Sequence, residues 1–307
     1  MKKFYVLLVA MILLVTVSAV SMAAVDLGGN VRIWYKSNLG GDTGGFYFDR
    51  LALKVGASIS DNNGFKSELR FGYKGDLLNM AYDQIYYYQK NLFTAGDELN
   101  AGYVFLPYYN DKYISLVESL AKNKGSVKNS TGLRYILKVD GFEGSLAVAN
   151  WKNSSDTASL ASGEGTGLDE ALRVSFKVMD GLNIGAGYIN DTAVSGGATT
   201  STGRMVADVL FTMDPFTVFF EYVNVNPNGG SARSGMYLEP SFTLSDNITV
   251  YLAGTLASKD SGLQSSEYMA GGVKFMVAPK TAIQAEYLSY PDNNSANSLN
   301  VRLRADF

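Results

Sequence analysis

Seven basic side chains stand out as the residues of this chain that could act together. Arg32, Arg50, Lys54 and Arg70 fall in its first quarter, Arg134 near the middle, and Arg302 and Arg304 next to its last residue. Each occupies the polar side of a run in which apolar and polar residues alternate, so each projects away from an apolar face. Lys36, Lys66 and Lys74 share the pattern early on, and Lys138 follows Arg134. Glu68 lies among the early set, and Glu143, Asp169, Asp208, Glu221, Glu239 and Glu286 are spread elsewhere. A guanidinium stays charged at every relevant pH. The chemistry of such an array is electrostatic: it orients dipolar solutes and sorts ions by charge. Each charge taken singly also serves simply to keep a wall wetted.

Bond-making chemistry has little to work with. The chain has no His and no Cys, which excludes Ser-His and Cys-His nucleophiles and removes imidazole and thiolate metal ligands. Asp and Glu pairs have no distinctive spacing, so a carboxylate-only hydrolase finds no support. No Gly-rich phosphate loop links a strand to a helix. The expectation is no enzyme, no metal and no cofactor.

The elements that position these charges begin after a leader. Lys2 and Lys3 precede an apolar run from Val6 to Val20, and Ser21-Met22-Ala23 supplies small residues at a cleavage site. Residues 1–23 therefore read as a signal peptide cut after Ala23, with Ala24 the alternative site and a membrane anchor the competing reading. Beyond Val20 no stretch approaches the roughly 20 apolar residues of a spanning helix. Without Lys2 and Lys3, 24 basic residues face 29 acidic ones, a net charge of −5. That argues against nucleic acid as a partner. An exported chain lacking Cys has no disulfides. Its 32 Gly and 20 Tyr against only 6 Pro suit a curved sheet meeting a lipid–water boundary.

Short turns alternate with longer polar loops along residues 24–307. The short ones are Asp61-Asn62-Asn63-Gly64, Ala95-Gly96-Asp97, Asp140-Gly141, Asp180-Gly181, Asp214-Pro215, Ser245-Asp246-Asn247 and Ala278-Pro279-Lys280. Between them lie loops near 38–45, 75–81, 108–128, 152–167, 190–202, 225–234, 258–266 and 290–297. Seven turns and eight loops imply sixteen strands. These fall at 25–37, 46–60, 65–74, 82–93, 98–107, 129–139, 142–151, 168–179, 182–190, 203–213, 216–225, 235–244, 248–257, 267–277, 281–289 and 298–307; one misplaced hairpin would make the number fourteen or eighteen. Leu51, Leu53, Val55, Ala57 and Ile59 oppose Arg50, Ala52, Lys54, Gly56 and Ser58, and 133–139, 172–178 and 204–211 behave alike. A soluble β-sandwich or solenoid would bury the apolar set, whereas a barrel in lipid turns it outward. Alternation does not separate the two. The leader, the strand number, the asymmetry of the turns and the closing Phe307 favour an all-β transmembrane antiparallel barrel spanning 24–307.

The arrangement resembles the sixteen-stranded bacterial outer-membrane diffusion porins. The likeness covers residues 24–307 in pattern, not in residue identity. Leu99-Asn100-Ala101-Gly102-Tyr103-Val104-Phe105-Leu106-Pro107-Tyr108 is similar to the fifth strand of such porins, leading into their third loop. Phe307, preceded by apolar residues at alternate positions, resembles the signal read by the barrel assembly machinery. The resemblance implies a water-filled channel in the outer membrane of a diderm bacterium. It implies passive diffusion of small hydrophilic solutes and ions, outer-membrane lipid around the wall, and a homotrimer. It implies a third loop folded into the lumen, with Asp111 and Glu118 as constriction acids opposite the basic wall. Residues 113–122 carry near-helical apolar spacing; an external loop or a subunit contact are the other readings of this segment.

Tyr82, Tyr86, Tyr87 and Tyr88 blur the faces of the fourth strand. An interface girdle is the plain reading, with a subunit contact or sugar-stacking sites as alternatives. The competing function is a structural or adhesive surface barrel, whose loops, such as Asn190 to Thr202, would meet a partner. A plugged active transporter would need an N-terminal domain for which the sequence has no room.

Overall fold

The computed structural model describes residues 24–39, 43–74, 77–110, 112–116, 130–150, 168–195, 198–227, 232–257, 267–291 and 297–307. The leader reading therefore lies outside the described residues. Sixteen antiparallel strands close on themselves in sequence order, and β16 pairs with β1. They are β1 Ala24–Asn38, β2 Thr43–Ser60, β3 Asn63–Lys74, β4 Leu77–Lys90, β5 Asp97–Val104, β6 Ser130–Val139, β7 Phe142–Asn150 and β8 Leu168–Met179. The others are β9 Leu182–Ser195, β10 Ala198–Met213, β11 Phe216–Pro227, β12 Arg233–Ser245, β13 Ile248–Ala257, β14 Met269–Ala278, β15 Thr281–Ser289 and β16 Ser298–Asp306. Closure gives every strand a hydrogen-bonded neighbour on each side, as sheet in hydrocarbon requires. Among the described residues no helix is long and apolar enough to cross a membrane.

Exposure identifies the two faces. Leu133, Leu146, Leu172, Met205, Leu238, Leu252, Ile283 and Leu303 are exposed on the outside. The alternate positions carry Arg134, Ser145, Arg173, Asp208, Glu239, Tyr251, Gln284 and Arg304. On the outer face aromatic rings pair close to the short turns: Phe142 with Phe176 at 5.0 Å and Phe216 with Phe242 at 4.8 Å. The tightest of those turns rely on left-handed backbone, at Gly141 (φ 69°) and Gly181 (φ 80°). Asp97 closes a wider one, its carboxylate accepting the N–H groups of Leu92, Phe93 and Thr94.

Three departures from the sequence reading have local causes. The register of β1 against β2 shifts between Arg32 and Ile33, so Asp49 forms a bulge. Beyond it the parity changes: Tyr47 lies opposite Trp34, and Phe46 opposite Tyr35. The expected loop at 190–202 is mostly strand, because β9 and β10 stay paired out to Ser195 and Ala198. Thr192, Val194, Thr199 and Thr200 favour extended backbone whatever their polarity. The fifth strand ends at Val104 rather than residue 107, and Pro107 has no N–H to continue a ladder.

Barrel closure involves Phe307. Its N–H donates to the Gly29 carbonyl at 3.0 Å, and its carbonyl accepts the Gly29 N–H at 2.9 Å. Its ring lies where a Gly29 side chain would be, at 2.7 Å from an ideal Cβ. Deleting Phe307 removes both bonds, worth about 0.5–1.5 kcal/mol each, and uncovers the seam. The expected result is less folded barrel in the membrane, scored by the heat-modifiable band on gels. Wild-type amounts in a strain with limited assembly capacity would count against it.

Candidate functional site

The lumen has two unlike halves. On the lumenal side of β7 to β15, Ala147, Ala149, Ala171, Ile189, Val206, Phe219, Val223, Tyr237, Ala253 and Leu288 are buried. What buries them is the chain after β5. Leu106 and Tyr108 are fully buried in this cluster, and Tyr113 stacks on Phe219 at 6.3 Å and meets Tyr237 edge-on at 6.2 Å. Burial pushes the Tyr108 phenol above its ordinary range. The interior of this half is an apolar core, which strict apolar-out, polar-in alternation does not anticipate.

Buried polar groups fasten the segment to the wall. The Glu239 carboxylate accepts the N–H groups of Ile114 at 2.6 Å and Ser115 at 2.8 Å, and the Tyr237 hydroxyl at 2.6 Å. Glu286 accepts the Ser115 hydroxyl at 2.6 Å, the Leu116 N–H at 2.9 Å and the Tyr251 hydroxyl at 2.8 Å. Gln284 donates to the Ile114 carbonyl at 2.6 Å. Further back, Arg173 and Asp208 form an ion pair at 2.8 Å, and Asn110 donates to Asp208 at 3.0 Å. Gly185 and Gly187 make room here. A Cβ on Gly187 would overlap the Tyr108 carbonyl, and one on Gly185 would meet Arg173 and Asp208. Residues 112–116, which include the start of the stretch with near-helical spacing, are not helical: the N–H groups of Ile114, Ser115 and Leu116 go to carboxylates instead of to carbonyls one turn back. Residue 111 and residues 117–129 lie outside the described residues, and Asp111 and Glu118 with them.

The other half carries the basic wall. Arg304, Arg32 and Arg50 stand directly opposite one another on β16, β1 and β2. Arg302 lies on the next lumenal row, opposite Trp34, with its guanidinium 5.6 Å from the indole ring. It donates to Gln284 at 2.8 Å, which joins the wall to the loop fastening. Asp306 holds Arg304 through both carboxylate oxygens. Glu68 takes Arg70 at 3.3 Å and Lys54 at 3.9 Å. These side chains face water: Lys54 is 58% exposed, Arg70 38% and Arg304 39%. Arg134 is not part of the group. It sits on β6 between Asn100 and Ala147, donates to Ser145 and packs over Phe105.

The tyrosines of β4 divide between the faces. Tyr87 points outward and meets Phe65 edge-on at 5.4 Å. Tyr86 and Tyr88 share the lumenal face with Lys66, whose ammonium lies 4.9 Å from the Tyr88 ring. A single girdle therefore does not describe this strand. The side chain of Tyr82 is outside the described residues.

Sequence reasoning placed Asp208, Glu239 and Glu286 on the lumenal face without assigning them a task. The available signals were glycine at the successive lumenal positions 185 and 187, and a lumenal Tyr two residues before Glu239.

No protein-family model matches the sequence, and no curated protein sequence matches it. Solved structures do. A loop L8 deletion mutant of OmpT, an outer membrane protein of Vibrio cholerae, superposes with a TM-score of 0.68 at 15% identity, covering 92% of this chain and 99% of that one. Salmonella typhi OmpF in complex with daunomycin gives 0.65 at 12% identity, over 92% and 97%. A mutant of the Rh. blastica porin gives 0.63 at 14% identity, over 92% and 100%. The chain has the sixteen-stranded fold of the bacterial outer-membrane porins.

Proposed function

We propose that the chain is an outer-membrane porin: a water-filled channel for passive diffusion of small hydrophilic solutes and ions, with no catalytic step. The observation that carries this is the asymmetry of the lumen. One half is filled by a packed core, and the other keeps Lys54, Arg70 and Arg304 solvated inside a closed barrel. Charged side chains take that state only if water occupies the interior, since a charge facing lipid at mid-depth would cost about 2–4 kcal/mol. The porin folds among its structural neighbours support the same reading. Within it, residues 1–23 act as a signal peptide, Phe307 is read by the assembly machinery, and outer-membrane lipid surrounds a homotrimer. Arg32, Arg50, Lys54, Arg70, Arg302 and Arg304 form the basic side of the constriction, with Asp111 and Glu118 assigned to its loop side.

The experiment is liposome swelling with sugars of increasing size. Proteoliposomes should swell quickly in small sugars, with a cut-off as size rises. Vesicles that swell no faster than protein-free ones would favour a structural or adhesive barrel.

A further inference from the structure

We propose that the lumenal wall of β14, β15, β16 and β1 holds a binding site for small multivalent oxyanions such as phosphate and sulfate, formed by Lys274, Arg302, Arg304 and Arg32. The proposal rests on the reading of the chain as an open pore.

Register brings these groups together. One lumenal row runs Lys274, Gln284, Arg302, Trp34, and the adjoining row runs Met276, Ala282, Arg304, Arg32, Arg50. Neighbouring strands lie about 4.8 Å apart, and successive lumenal positions on a strand about 7 Å apart. The four cations therefore share a patch roughly 15 Å across. A recess of about 230 Å³ opens there, lined by Lys274, Lys280, Gln284, Arg302, Arg304 and Asp306. That lining has four cations and one carboxylate.

The barrel compensates this charge only in part: Asp49 acts on Arg32 and Arg302, and Glu286 on Arg302, without forming an ion pair. Among the described residues Arg32, Lys274 and Arg302 make no ion pair, and Asp306 serves Arg304. The Nε of Arg32 is buried without a hydrogen-bond partner among the described residues. Like charges directly opposite across strands are destabilising, and Arg32 has an arginine opposite it on both sides. The chain between β5 and β6 brings no net negative charge of its own, since Asp111 and Glu118 are accompanied by Lys112, Lys122, Lys124 and Lys128. The recess keeps a surplus of cations over carboxylates, which an anion from solution can match.

The geometry favours an oxyanion over chloride. Two of the guanidinium groups are held in place, Arg304 by Asp306 and Arg302 by Gln284 and Trp34. A fixed fork of N–H donors matches a pair of oxygens on one centre, and little ordering is left to do on binding. The surplus of positive charge favours a divalent ion over a monovalent one.

The test uses the full-length mature protein in planar bilayers. In a KCl gradient the reversal potential should have the sign of anion preference. Phosphate or sulfate should then reduce chloride current at concentrations about tenfold lower than acetate does. Lys274→Gln should raise the half-blocking phosphate concentration several-fold. Lys274 makes no hydrogen bond in the barrel among the described residues, so this variant keeps the wall intact. Adding Arg304→Gln should raise it tenfold or more, while Lys177→Gln, on β8, should change nothing. Open channels that phosphate blocks no better than acetate, or a block unchanged by Lys274→Gln, would overturn the site and leave the pore standing. Absence of any channel would overturn both.

Discussion

Replacing Glu239 and Glu286 together by Gln is expected to release residues 113–116 from the wall and make the pore wider and noisier. Each carboxylate accepts three hydrogen bonds, and no cation binds either one among the described residues. The acceptors that offset the desolvation of these buried acids are also the bonds that fix the loop. A hydrogen bond to a charged group contributes about 1.5–3 kcal/mol, whereas a Gln amide accepts through one oxygen and presents N–H groups to donors. A loss of about 3–6 kcal/mol of loop anchoring follows for the pair. Single-channel records should show higher mean conductance with larger fluctuations, and trypsin should gain access at Lys112. A steady wild-type current level with unchanged resistance to trypsin would contradict the anchoring role.

Gly187→Val is expected to be the most damaging single substitution in the wall. The new Cβ would occupy the position of the Tyr108 carbonyl and press on Val206. Both are parts of a packed cluster with no space to yield, and overpacking of this kind costs about 1–3 kcal/mol or more. Either residues 106–110 leave the wall, breaking the Asn110–Asp208 bond, or β9 shifts in the sheet. Detergent-solubilised protein should unfold at lower temperature, and any channels formed should carry an altered current. Gly45→Ala is the matched control, because a Cβ there meets open space. Equal stability of the two variants would show that the loop does not lie against Gly187.

The barrel itself was legible because lipid and water impose a period of two on every strand they bound. Leu51 to Ile59 against Arg50 to Ser58, and Leu299 to Leu303 against Asn300 to Arg304, assign faces without reference to a partner. The grouping of Arg32, Arg50, Arg302 and Arg304 followed from the same rule, given a barrel that closes between its last strand and its first. Arg134, assigned to the same basic wall, lies on the lumenal face of β6, away from the seam. The bulge at Asp49 was hidden, since Phe46-Tyr47-Phe48 is apolar on either parity. The apolar half of the lumen was also hidden. Ala147, Val206, Phe219 and Val223 face a loop, and a loop in the lumen leaves no periodic mark on the strands it covers. Residues 190–202 were read from polarity as a loop, although their Thr and Val content favours strand and their flanks were already paired.

The arrangement of an outward apolar face and a water-filled half-lumen is tested most directly by single cysteines, since the native chain has none. Lys54→Cys and Arg70→Cys place a thiol on the solvated lumenal side of β2 and β3, and Leu53→Cys places one on the outer side of β2. A charged, membrane-impermeant thiol reagent added to open channels should modify positions 54 and 70 and step the current down at each event. It should leave the current through Leu53→Cys unchanged. Equal reactivity at 53 and 54, or modification at 54 and 70 without any change in current, would contradict the pore.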